Sequence, residues 1–249
     1  MMIVNVLQAF NILHSQLNLM TPLLIIAAIL PGLLLCLLIY FLDKYEREDI
    51  LHLLITFCLG MLCAVPAIGI QFLASKTGID NSTSTLLFLV NVFIVVAFSE
   101  ELVKMLALLG YPYRQDFFNE PLDGIVYTMM IGLGFATVEN LIYANKFGME
   151  TTLIRSFTAV PAHAIFAVIM GYFVGLAKFY EKERRKFIIR GFLMAFVVHG
   201  IYDFFLLQEY YDWLMGFGLL TIILGIILSW QLIRMHKERS PFNEKNIQP

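Results

Sequence analysis

The chain has 249 residues, 59% hydrophobic and 14% charged, with a net charge of −2 and a mean hydropathy of +0.78. Soluble domains are about 45–50% apolar and about 25% charged, so the composition is that of an integral membrane protein, with length for one membrane domain. The near-neutral charge speaks against nucleic-acid binding.

Residues 1–18 contain no Lys or Arg, so the positive segment of a cleavable signal peptide is missing. Ile3, Val6, Leu7, Phe10, Leu13 and Leu17 recur at helical spacing with polar residues between them, the pattern of a helix lying in the interface or of a frayed terminus. A span needs about 20 apolar residues, and the pattern predicts an all-α bundle of about seven transmembrane helices: 19–42, 50–74, 86–109, 123–145, 157–179, 187–207 and 213–233. They make a single domain over 19–235, followed by a tail at 236–249. Short polar connections separate them, among them Asp43–Asp49, Gly110–Pro121 and Lys146–Ser156. Pro121 suits the first turn of the fourth span. Cys36, Cys58 and Cys63 fall within apolar runs and read as small core residues. Gly132 and Gly134 permit a close helix approach, and Ala167, Gly171 and Gly175 form a stripe of small residues that favours one.

Most Lys and Arg residues fall on one side of these spans, including Lys44, Arg47, Arg114 and the basic run Lys182–Lys186. Lys76, Lys146 and Arg155 fall on the other. The positive-inside rule therefore predicts an external N-terminus, a cytoplasmic C-terminus and a basic run resting against anionic lipid.

Four spans carry ionisable residues. Glu100, Glu101 and Lys104 lie in the third, Glu139 in the fourth, His163 in the fifth, and His199 with Asp203 in the sixth. Each charge at mid-membrane costs about 2.5–3.5 kcal/mol on insertion scales. The economical arrangement has these groups facing one another around a polar, wet site within 86–207. Glu100 and Glu101 precede Lys104 by four and three residues and share a helical face with it. One Lys neutralises only one of two carboxylates, so the other needs a proton, a hydrogen bond or another cation. Glu101 with Lys104 reads best as a structural ion pair, and Glu100 as functional. Phe135 and Glu139 share a face, as do His199 and Asp203. The latter spacing suits a carboxylate orienting an imidazole, two metal ligands, or two hydrogen-bond donors. The last span carries no ionisable residue.

Taken together, Glu100-Glu101-x-x-Lys104, Phe135-x-x-x-Glu139, His163 and His199-x-x-x-Asp203 resemble, in order and spacing, the PrsW family of intramembrane proteases, relatives of the CAAX prenyl endopeptidases and of the bacteriocin-processing proteins. The relatives have a longer first motif and a His in place of Glu139. The resemblance implies a bacterial cell-membrane enzyme of stress signalling that cuts a membrane-anchored regulator such as an anti-sigma factor. It implies Glu100 as the base that activates water and Glu139 as its helper. Glu101, Lys104 and Phe135 would brace the site, and His199 and Asp203 would support the oxyanion with His163 nearby. No cofactor is required on this reading. A zinc-dependent version would use Glu139, His163, His199 and Asp203 as ligands with Glu100 as base. A proton- or ion-coupled carrier is the alternative from another class; the lack of an inverted repeat weighs against it.

Overall fold

The computed structural model describes residues 21–79 and 84–243; the interfacial helix expected over 1–18 lies outside them. The described residues are helical apart from short turns. Helices α1 (Pro22–Leu42) and α2 (Ile50–Ser75) come first. Next come α3 (Thr85–Val90), a π-helical turn (Asn91–Ala97) and α4 (Phe98–Gly110), which together form one span. Helices α5 (Pro121–Phe157), α6 (Ala159–Phe179), α7 (Arg184–Leu207) and α8 (Met215–Glu238) complete the bundle. Six stretches are long and apolar enough to cross a membrane, and the one at Pro121–Phe179 is 59 residues long. It holds both α5 and α6, which turn back on each other, so the six stretches come close to the about seven spans expected from sequence.

Helix starts reflect local chemistry. The Asp49 side chain accepts the Leu51 N–H at 2.6 Å and caps α2. Pro121 opens α5, as expected, where its missing N–H costs nothing, and Asp123 Oδ2 accepts the Glu120 N–H at 2.8 Å. Inside α1, Pro31 has no N–H to offer the Ala27 carbonyl. The Ser156 hydroxyl approaches that carbonyl at 3.4 Å, sharing the proton it donates to the Thr152 carbonyl at 2.8 Å.

The α5–α6 hairpin is the centre of the molecule and is almost wholly buried. Helices α1 and α2 pack on α5, and α7 and α8 pack on α6. These outer helices turn Leu23, Leu30, Leu54, Leu73, Ile223 and Trp230 outward, an apolar belt far larger than a water-soluble surface carries. Cys58 belongs to this belt, so only Cys63 of the three cysteines is fully buried.

The small-residue stripe sets the hairpin's tightness. A Cβ on Gly171 would overlap the Gly124 carbonyl oxygen, and one on Gly175 would overlap the Pro121 carbonyl oxygen. Elsewhere on the same interface, Gly132 lies against Ala167 and His163. Close backbone approach of this kind is what holds helices together where lipid offers no hydrophobic drive. Gly171→Leu is expected to destabilise the protein by at least the about 1–3 kcal/mol of an overpacked core, read as a lowered unfolding midpoint in detergent.

Two expectations need correction. The connection expected at Lys146–Ser156 is helical, and α5 runs on to Phe157. It breaks only at Gly148, whose φ of 78° lies in the left-handed region open to glycine. The tail does not begin at 236: α8 continues to Glu238, His236 is buried with Nε2–H donating to the Tyr172 carbonyl at 2.9 Å, and Ser240 is buried after it.

Candidate active site

The π-helical turn immediately precedes Ser99, Glu100 and Glu101. Such a turn widens the helix and shifts the register of the residues after it, and π-bulges are frequent at functional sites. Here the Phe93 ring fills the space in front of Gly200, next to His199 on α7. That contact brings the two helices close enough for Glu101 to meet His199. The Ser99 hydroxyl donates back to the Val95 carbonyl at 2.5 Å, which occupies it as a helix-internal donor.

Every ionisable residue singled out by sequence reaches this one place. Lys104 Nζ lies 2.8 Å from Glu101 Oε1 and 3.5 Å from Glu100 Oε2. It donates to His163 Nδ1 at 3.2 Å and sits 4.2 Å over the centre of the Phe135 ring. His163 then carries its proton on Nε2, which donates to Glu139 Oε2 at 3.0 Å. His199 Nδ1–H donates to Glu101 Oε1 at 2.9 Å, and its Nε2 lies 3.2 Å from Asp203 Oδ2 and 4.0 Å from Glu100 Oε2. Phe166 stacks on the His199 ring at 4.5 Å and fixes its plane.

Two participants were not expected from sequence. Gln71 on α2 donates from Nε2 to Glu100 Oε1 at 3.0 Å. Arg155, expected in an outer loop, donates to Glu139 Oε2 at 2.8 Å and to Asn140 Oδ1 at 3.2 Å, with its guanidinium 3.8 Å over the Tyr143 ring. The break at Gly148 reverses enough of the chain to return Arg155 to Glu139. A lone amide in an apolar span and a glycine inside a polar helix end were the available signals.

The site is dry at one end and open at the other. Side-chain exposure is 1–4% for Glu100, Glu101, Lys104 and His199, and rises to 12% at Asp203, 15% at Arg155 and 21% at Glu139. The more exposed edge of the cluster is thus at Glu139, and Glu100 lies at its buried end. Glu100 Oε2 is buried without a hydrogen bond, its charge met only by Lys104 Nζ at 3.5 Å, although a buried carboxylate oxygen needs a donor. Four carboxylates share the site with two permanent cations, Lys104 and Arg155. Neutrality needs further positive charge from protons, an imidazolium or a divalent ion.

A polytopic helical membrane protein with a convergent, buried acid–imidazole site is the class these features define. The profile of the PrsW family intramembrane metalloproteases matches residues 48–231. Among relatives, Protease PrsW of Geobacillus kaustophilus is 38% identical over 86% of this chain and 91% of its own length. Protease PrsW of Bacillus subtilis is 35% identical over 72% of this chain and 81% of its own. That of Clostridioides difficile is 31% identical over 76% and 79%. No solved structure matches. The chain belongs to the PrsW family and is a multi-pass membrane protease.

The family's description implies a metal ion, and the residues fit one. Glu100, Glu139 and His163 each offer an atom within 4.8 Å of the others, a carboxylate–imidazole set that suits zinc, and Glu100 Oε2, which makes no hydrogen bond, belongs to this group of side chains. A neutral His163 ligand would carry its proton on the ring nitrogen that does not hold the ion, so holding it through Nε2 would require Nδ1 to give up the Lys104 hydrogen bond. The sequence-derived zinc set included His199 and Asp203; here they stand beside the cluster, with His199 Nδ1 taken by Glu101.

Proposed function

We propose that this protease hydrolyses a peptide bond of a membrane-anchored regulatory protein, of the anti-sigma-factor type, using water activated by Glu100. The observation that carries the reading is the buried Glu100 Oε2, which makes no hydrogen bond and meets only the Lys104 ammonium at 3.5 Å, at the buried end of a site whose more exposed end is Glu139. Amide hydrolysis needs a base for water, a donor for the oxyanion and an acid for the leaving amine. Glu100 takes the water's proton and returns it to the departing nitrogen. Glu139, held by Arg155 and His163, orients the water. His199 Nδ1–H is held by Glu101, so the donor toward the oxyanion would be Nε2–H, exchanging Asp203 Oδ2, now 3.2 Å away, for the substrate oxygen. Lys104 keeps Glu101 and Glu100 in register.

A zinc-class ion held by Glu100, Glu139 and His163 would supply a more acidic water and Lewis-acid stabilisation; in that version Glu100 and Glu139 would serve as ligands in place of their roles as base and water-orienting group. The positive-inside bias supports an external N-terminus and a cytoplasmic C-terminus, which puts the open end of the site, and the cut, on the extracytoplasmic side. The test uses purified protein in liposomes with a single-span regulator as substrate, the cut located by mass spectrometry. Cleavage near the extracytoplasmic end of the span supports the reading, and cleavage only in the cytoplasmic segment contradicts it. Zinc found in stoichiometric amount, with activity lost to a chelator and restored by zinc, favours the metal-assisted version.

A further inference from the structure

At the end of the bundle opposite the active site, a second set of acids is buried with no role in proteolysis. Asp43 and Glu48 come from the α1–α2 connection, and Glu120 and Asp123 from the start of α5; all are at most 5% exposed. Glu46 joins them, partly exposed. Carboxylate oxygens of Glu46, Glu48 and Asp123 lie within 4.8 Å of one another. Asp123 and Glu139 are sixteen residues apart on α5, about 24 Å at the helical rise of about 1.5 Å per residue.

Hydrogen bonds hold only one side of the two central carboxylates. Tyr127 donates its hydroxyl to Glu48 Oε2. The backbone N–H groups of Asn119 and Glu120 donate to Asp123 Oδ2 at 2.6 and 2.8 Å. One oxygen of each carboxylate is thus held; Glu48 Oε1 and Asp123 Oδ1 receive no donor from the surrounding protein, and the two carboxyl groups lie close enough to hydrogen-bond each other when they share a proton. Glu46 Oε2 and both oxygens of Asp43 receive no donor either. Asp43 is 1% exposed, and its carboxylate faces Glu120, Glu48 and Glu46.

Nearby cations do not answer them. Lys44 lies over the Tyr45 ring at 5.5 Å, and Arg47 over the Tyr40 and Phe41 rings at 5.5 and 5.9 Å. Lys237 acts on Asp43 from a distance, and among the described residues no ion pair within 4 Å reaches any of these acids. Burial, aided by the neighbouring acids, pushes the Asp43 carboxyl up to about 8. Burial also pushes Glu48 up to about 7, against the Tyr127 hydrogen bond.

We propose that Asp43, Glu46, Glu48 and Asp123 form a binding site for a hard divalent cation of the calcium–magnesium class, which clamps the α1–α2 connection to the first turn of α5. The donors are oxygen only, as these ions require. Outer donors from Tyr127 and the 119–120 backbone aim the free oxygens inward, the usual arrangement behind metal-binding carboxylates.

The experiment is thermal unfolding of the full chain in detergent, at about pH 6 and about pH 8, with EDTA, calcium or magnesium. Millimolar calcium or magnesium is expected to raise the midpoint by several degrees at the higher pH and by less at the lower, where protons compete. Asp43→Asn and Glu48→Gln should each remove the rise, and Glu100→Gln should keep it. Manganese(II), used as a paramagnetic probe, should bind the native protein and lose this site in Asp43→Asn. Equal midpoints with and without cation at both pH values would mean that shared protons fill the cluster, and would overturn the proposal. A rise that survives both cluster variants would overturn it too, since the ion would then bind elsewhere.

Discussion

Glu100→Gln is expected to slow substrate cleavage by about a hundred- to ten-thousand-fold, the usual contribution of a general base, while leaving the protein folded. The side chain keeps its volume, and Gln71 still finds an amide oxygen where it now finds Glu100 Oε1. What is lost is the charged acceptor at Oε2, which makes no hydrogen bond and has only the Lys104 ammonium at 3.5 Å beside it. The measurement is the cleavage rate in liposomes beside an unfolding curve. A folded variant that cleaves at the native rate would remove Glu100 from the chemistry. Full activity cannot survive through Glu101, because Lys104 and His199 already occupy its Oε1.

Lys104→Met is expected to be the most destabilising single change in the site. Lys104 is 3% exposed and is the common partner of Glu100, Glu101, His163 and the Phe135 ring. Removing one member of a buried ion pair leaves the other charged and unmatched, at a cost of about 3–5 kcal/mol. The double variant Glu101→Gln with Lys104→Met removes both charges and should recover much of that stability. Its activity should stay low, since His199 has lost the carboxylate that orients it. Unfolding midpoints of the native protein, the two single variants and the double give the coupling directly. Additive effects would contradict the central place of this pair.

The spans and the site's principal acids and imidazoles were readable in the sequence because lipid makes both conspicuous. An apolar run of the right length declares a helix, and a Glu or His within it declares a partner. The glycine stripe that seats α5 against α6 was readable for a similar reason. Arg155 was not, because it lies beyond the apolar run of its span and counts there as an ordinary flanking charge. Only the reversal at Gly148 returns it to Glu139. Gln71 is uncharged and adds little to the cost of its span, so nothing marked it as the partner of Glu100. The π-helical turn leaves no trace in hydrophobic periodicity over seven apolar or amide residues. The acids of the 43–48 connection read as a solvated loop, and only the fold presses them against the start of α5.

In the central hairpin, α5 and α6 meet protein on nearly all sides, and the bilayer touches chiefly the peripheral helices. A change in lipid thickness or headgroup can reach the acids and imidazoles only by tilting or shifting those outer helices against a fixed axis. Glu100, Glu101, Lys104, His199 and Asp203 ride on those outer helices, while Glu139 and His163 sit on the axis, so a tilt of the outer ring would shift the two halves of the site against each other.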